Sequence, residues 1–199
     1  MAESELAFYQ LDPVEAAREL LGYTLEHDKV SGLVVETEAY AERDDEACHT
    51  FFKKTAREFV AEHQAGAVYV YLNYGVHWLL NILTITPEGE RGFVLIRALE
   101  PLTGLDTMHQ RRTRKKLLRE RDLCSGPGKL TQALAISPET HGVLINSRGC
   151  PYQLKPPAKK PTTMITAGPR IGITKAADLP WRFGYADNPH LSVKFPTER

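Results

Sequence analysis

The sequence predicts a single mixed α/β domain of the α+β kind, built on a largely antiparallel sheet with flanking helices. Three observations predict it. The chain has 199 residues, 42% of them apolar and 25% charged, which suits one soluble globular core. Stretches that alternate in polarity follow one another through tight turns, the pattern of strands that pair as antiparallel neighbours. Helix signals fall at only four places between them. No apolar run approaches the roughly 20 residues that span a bilayer, so no membrane role is expected. The acidic start Met1-Ala2-Glu3-Ser4-Glu5 gives no expectation of a secretory signal. There is no internal repeat and no low-complexity segment.

In chain order, Asp12-Pro13 opens a helix that closes at Gly22, with an Asp cap and Pro at the first position. Residues 23–27 and 32–40 read as a strand pair. Residues 54–63 read as a short helix. Residues 67–71 and 76–85 alternate around Asn73-Tyr74-Gly75, which predicts a protruding hairpin. Residues 93–99 form another apolar strand. Residues 104–121 suit a basic helix or helix pair. Ser125-Gly126-Pro127-Gly128 opens a helix to about residue 135. Short strands are expected at 142–146, 162–166, 181–185 and 191–195. The Pro-rich stretch 155–161 reads as a surface loop, because both flanks belong to one body; residues 1–199 are expected to form one domain.

Chemistry concentrates in Val34-Val35-Glu36-Thr37-Glu38-Ala39-Tyr40. A strand sends successive side chains to opposite faces, so Glu36, Glu38 and Tyr40 share one. Two carboxylates there are costly in a core unless paired, so the face is wet or is a site. Three further groups stand out. His49 closes Asp45-Glu46-Ala47-Cys48-His49. The hairpin carries Tyr69, Tyr71 and Tyr74 within six residues, with Asn81 and Ile82 on its return strand. Arg97 lies in a strand that reads as buried and needs a carboxylate, for which Glu36 and Glu38 are the candidates.

Charge is zero in sum but not in distribution. Arg111, Arg112, Arg114, Lys115, Lys116, Arg119 and Arg121 face one anion, Glu120; Lys53, Lys54 and Arg57 form a second cluster and Lys159-Lys160 a third. Such runs are often solvated faces, but three in a neutral chain suggest local surfaces for phosphates. Several signals fail. Gly128-Lys129 mimics a P-loop, yet the first glycine position holds Leu123 and Leu130 stands where Ser or Thr would hold magnesium. The helix start there still suits a phosphate. Cys48, Cys124 and Cys150 have no paired or metal-binding spacing and suit a reducing compartment. The zinc-deaminase pattern and the G-x-S-x-G elbow are missing. Cys124 reads as packing rather than a nucleophile.

Together the segments VVETEAY (34–40), DEACH (45–49), YVYLNYG (69–75) with Asn81-Ile82, VLIRALEP (94–101), LCSGPGKLTQAL (123–134), GPRIGI (168–173) and PWRF (180–183) resemble the alkyladenine, or methylpurine, DNA glycosylases, in family order over about residues 8–195. The resemblance implies a curved sheet like that of the formyltransferase C-terminal domain. It implies a base-excision repair enzyme that flips an alkylated purine (3-methyladenine or 7-methylguanine, with hypoxanthine or ethenoadenine less assured) from double-stranded DNA and hydrolyses its N-glycosidic bond. By position, Glu38 matches the base that activates water, and Arg97 the residue that positions it. Tyr40, His49 and Tyr71 match the residues that sandwich the flipped base. Asn81 matches the group that collides with guanine's exocyclic amine. Tyr74 matches the side chain that fills the gap in the duplex, and Ile171 offers a water-holding main-chain carbonyl. Candidate contacts to the DNA backbone are Lys53, Lys54, Arg57, Arg111, Arg112, Arg114, Lys115 and Lys129.

No lysine lies in a matching motif where a Schiff base would need it, so a monofunctional enzyme is expected, without metal or cofactor. A monomer in a bacterial cytoplasm, at the nucleoid by function, is expected too. Glu36 has no catalytic counterpart and is expected to be structural. The chain departs from the family at 50–58: the usual Gly- and Arg-rich loop with Thr-Pro-Arg-Asn becomes Thr50-Phe51-Phe52-Lys53-Lys54-Thr55-Ala56-Arg57-Glu58. This bears on lesion range rather than reaction type. Two other readings stand beside it: a non-catalytic DNA-damage-binding module, and a small-ligand binder on a formyltransferase-type fold.

Overall fold

The computed structural model describes residues 7–113, 117–159 and 162–196. Helix α1 (Pro13–Glu19) begins as its sequence dictates, with the Asp12 carboxylate accepting from the N–H groups of Val14 and Glu15. Its Ala16 and Ala17 are fully buried. The Ala17 carbonyl accepts a 2.7 Å hydrogen bond from Thr37 Oγ1, which ties the helix to the sheet.

Eight strands, β1 (Thr24–His27), β2 (Val30–Ala41), β3 (Val68–Asn73), β4 (His77–Ile85), β5 (Arg91–Thr103), β6 (Tyr152–Lys155), β7 (Ile165–Gly168) and β8 (Arg182–Tyr185), form one curled antiparallel sheet. The main order is β3-β4-β5-β2-β1-β6, with β8 beside β2 and β7 beside β8. Strand β2 is its spine. It pairs with β5 along one edge, and on the other with β1 at residues 30–33 and then β8 at 36–38. Its register against β5 slips on both sides of Glu36: Val34 faces Leu99, Glu36 faces Ala98, and Thr37 faces Ile96. Val35 and Arg97 are thus the extra residues, one on each strand. Such bulges bend a strand and re-aim a side chain; here the re-aimed one is Arg97.

Both faces of β3–β5 are covered. Val68, Val70, Leu80, Ile82, Val94 and Ile96 join the main core. Tyr69, Leu83 and Phe93 join a second, smaller cluster with Cys48 and with Ala56, Phe59 and Val60 of α3 (Lys54–Glu62). The one-turn α2 (His49–Phe52) precedes α3 directly. Helix α5 (Pro127–Ala133) packs against β4, where Thr131 Oγ1 donates to the Trp78 carbonyl at 2.7 Å. A Cβ at Gly128 would meet the His77 ring at 2.6 Å, so only glycine lets this helix start approach so closely.

Some expectations need correction. Residues 142–146 form no strand: they hydrogen-bond irregularly to the start of β3 around the single bridge Ala67–Leu144. Residues 191–195 form none either, because their backbone is spent on buried ions, the Ser192 N–H on Glu36 and the Val193 carbonyl on Arg182. Strand β6, beside the Pro-rich loop, was not expected, and the 162–166 strand lies a few residues later as β7. Among the described residues of the basic stretch, α4 (Leu105–Arg112) ends at an extended Thr113, and a 3-10 turn follows at Glu120–Asp122. Arg114, Lys115, Lys116 and Lys160 lie outside the described residues.

Candidate active site

A cavity of about 850 Å³ opens between α2, the β3–β4 hairpin, β5 and the 171–175 segment. Its wall includes Tyr40, His49, Tyr71, Asn81, Arg97 and Ile171. The structure therefore brings together residues that sequence placed in five separate motifs.

Glu38 lies just behind this wall, with no exposed surface. Its Oε1 accepts from the Ile171 N–H at 2.8 Å. Its Oε2 accepts from Tyr40 Oη at 2.7 Å and lies 3.2 Å from Arg97 Nη1. All three donors also border the cavity. Burial pushes the Glu38 carboxyl above the ordinary range, against the opposing pull of Arg97, the Ile171 N–H and the Tyr40 hydroxyl. Burial also holds the Tyr40 hydroxyl well above its usual value, so Tyr40 is the donor in its bond to Glu38. Ile171 meets Glu38 through its N–H, a contact that the carbonyl expectation did not include.

Glu36 is handled differently. It accepts from Arg182 Nη1 at 3.0 Å, from the Ser192 N–H at 2.6 Å and from Ser192 Oγ at 2.8 Å. Arg97 Nε stands 3.3 Å from the same carboxylate. Arg97 thus bridges both glutamates, as a buried arginine in an apolar strand requires. Sequence reading missed Arg182. It also missed the pair Asp45–Arg170, two fully buried side chains joined by hydrogen bonds of 2.6 and 2.7 Å. Arg170 also donates to the Ala39 carbonyl, and its guanidinium lies 4.6 Å from the Tyr40 ring centroid. This pair joins DEACH to GPRIGI and fixes the backbone on either side of the Glu38 contacts. The signal was available: an arginine among apolar and glycine neighbours needs a carboxylate.

The aromatic wall is ordered by His49. Lys53 Nζ donates to His49 Nε2 across 3.2 Å. An ammonium only donates, so Nε2 must accept and Nδ1 must carry the proton that Tyr69 Oη accepts at 3.1 Å. Burial, then Lys53, holds the imidazole down to about 4, so it is neutral at pH 7. Its ring meets Tyr71 edge to face at 4.4 Å. Asn81 is buried, with Nδ2 donating to the Tyr69 carbonyl at 3.2 Å.

At the hairpin tip, Tyr74 and Gly75 both have positive φ, and the Val76 N–H closes the turn on the Asn73 carbonyl. Tyr74 is 87% exposed, flanked by exposed Leu72 and Val76. Phe51 and Phe52 are exposed on the cavity rim.

The cation candidates separate. Lys53 borders the cavity. Lys54 is exposed and pairs with Glu58 at 3.2 Å. Lys129 donates to Ser125 Oγ at the start of α5. Arg57 donates to the Thr50 and Phe51 carbonyls, while Arg111 and Arg112 bond the Ala133 carbonyl and the Gln132 side chain. Those three arginines have internal structural partners. All three cysteines are buried and free; burial lifts the Cys124 thiol to about 12, in keeping with packing. Among the described residues, no three His, Cys, Asp or Glu side chains are grouped to hold a metal ion. No helix there is long and apolar enough to cross a membrane.

A fold of this kind, with a carboxylate behind an aromatic cavity beside a hairpin tipped by an exposed tyrosine, fits the class of base-excising DNA glycosylases. The comparisons are more specific. The family model described as methylpurine-DNA glycosylase matches residues 7–189. A Nitrosospira multiformis protein is 47% identical over 94% of this chain and 92% of its own length. An Agrobacterium fabrum protein is 42% identical over 97% and 94%, and a Chlorobaculum tepidum protein 41% identical over 95% and 90%. Each bears the name "Putative 3-methyladenine DNA glycosylase". The chain belongs to the methylpurine-DNA glycosylase family.

Proposed function

We propose that this glycosylase excises alkylated purines, 3-methyladenine and 7-methylguanine first, from double-stranded DNA in the bacterial cytoplasm, acting as a single-domain monomer. Hypoxanthine and ethenoadenine are the neutral lesions to compare. One observation carries the reading. Glu38 is buried and held on both oxygens, and the three groups that hold it line an aromatic cavity.

That arrangement supports the following course of reaction. A stacked base cannot be reached, so it rotates out at a cost of a few kcal/mol, and Tyr74 fills the gap. Tyr40, His49 and Tyr71 stack on the base; an alkylated purine is cationic and gains from aromatic faces. Asn81 rejects guanine by collision with its exocyclic amine. The C1′–N bond breaks and its electron pair leaves with the purine. Positive charge develops on the sugar, where the Glu38 carboxylate stabilises it. The water oxygen bonds to C1′, and Glu38 takes the water proton. Arg97 holds the carboxylate and orients that water, with the Ile171 carbonyl as a second anchor. Lys54, Arg57, Arg111, Arg112, Arg114, Lys115 and Lys129 are the candidates for the phosphates, whereas Lys53 stands in the cavity wall.

A release assay on methylated duplex DNA tests this. Free 3-methyladenine or 7-methylguanine should appear with wild type, and Glu38→Gln should lose about 100- to 10,000-fold in rate. No release from wild type, with equal binding to damaged and undamaged duplex, would favour a non-catalytic binder instead.

A further inference from the structure

Lys53 falls in the stretch where this chain departs from the family pattern, and it brings a cation into the cavity. Its Nζ is 3.2 Å from His49 Nε2 and 5.2 Å from the Tyr71 ring centroid. Phe52 lies 5.8 Å away on the same ammonium. No carboxylate pairs with it among the described residues. An ammonium therefore already stands at the aromatic surface that a cationic base would use.

We propose that Lys53 acts on the base electrostatically, weakening the binding of cationic purines while speeding the departure of the base. The inference rests on the glycosylase reading above. Cleavage of the C1′–N bond moves one unit of negative charge onto the purine. An alkylated purine changes from cation to neutral; a neutral purine changes towards an anion. A fixed ammonium beside the base favours either change, and Glu38 favours the positive charge that appears on the sugar. The two side chains thus oppose each other across the bond that breaks, stabilising the transition state more than the bound substrate. Before cleavage the same ammonium repels a cationic base and competes for the Tyr71 face. Binding and rate should therefore move in opposite directions when this charge is removed, which lost packing alone would not produce.

The test compares Lys53→Met and Lys53→Gln with Lys53→Arg, which keeps the charge. Binding is measured in a Glu38→Gln background, on duplexes carrying 7-methylguanine or its uncharged isostere 7-deaza-7-methylguanine. The neutral variants should shift the affinity ratio towards the cationic base by about tenfold, and Lys53→Arg should not. With Glu38 intact, single-turnover release of 3-methyladenine and 7-methylguanine from methylated duplex should fall by about tenfold in the neutral variants. An affinity ratio that stays within about twofold, or release that is unchanged or faster, would overturn the proposal. If wild type releases neither base, the glycosylase reading fails and the rate half of the proposal with it, while the binding arm still decides whether Lys53 opposes a cationic base.

Discussion

Glu36 and Glu38 are two residues apart on one strand, face the same way and share Arg97, yet their surroundings differ in kind. Apart from the shared Arg97, Glu36 is held by Arg182, the Ser192 N–H and the Ser192 hydroxyl, none of which lines the cavity. Glu38 is held by three groups that also form the cavity wall. Both carboxylates are completely buried. Under the proposed reading, what sets Glu38 apart from Glu36 is therefore that all of its partners line the cavity, not its depth. The bulge pair at Val35 and Arg97 makes this possible, because it lets one guanidinium reach both.

The largest effect is on rate: Glu38→Gln should remove about 100- to 10,000-fold of base release with little change in folding. Burial favours the neutral form of this carboxyl. Its folded pKa is raised, so the stability it contributes is present below the unfolded value and lost as pH rises through the folded one. At pH 7 the neutral glutamine should therefore leave thermal stability unchanged or slightly higher. Next is Glu36→Ala, which leaves buried Arg182 without its carboxylate and Arg97 with Glu38 alone, and should cost about 3–5 kcal/mol in denaturant unfolding.

Smaller, but tied to the same carboxylate, is the pH profile. Water activation needs ionised Glu38, so release should fall on acidification through a limb above 4.5, the ordinary glutamate value. A limb at or below that value would contradict the buried environment. The smallest effect on the fold is that of Tyr74→Ala. Its side chain is almost wholly exposed, so stability should hold while lesion capture weakens by about 1–3 kcal/mol, read from single-turnover kinetics against enzyme concentration. Unchanged capture would remove the wedge.

Much of this was legible in sequence where local chemistry decides structure. The Asp12 cap, the hairpin at Asn73-Tyr74-Gly75 and the need of Arg97 for a carboxylate each follow from neighbouring residues. The alternation of β2 placed both glutamates and Tyr40 on one face despite the bulge. Long-range pairing was less legible. Residues 191–195 have the composition of a strand, but their backbone satisfies Glu36 and Arg182. Strand β6 is only four residues long and stands next to prolines. Asp45 and Arg170 meet across 125 positions, so nothing in either motif alone announces the pair.

The most direct measurement sets Glu36→Gln and Glu38→Gln side by side, recording for each the single-turnover release of 3-methyladenine from methylated duplex and the melting temperature. A crossed result is expected: Glu38→Gln keeps its melting temperature and loses release, while Glu36→Gln melts lower and retains release in the fraction that folds. Undiminished release by Glu38→Gln, or equal loss of stability in both, would contradict it.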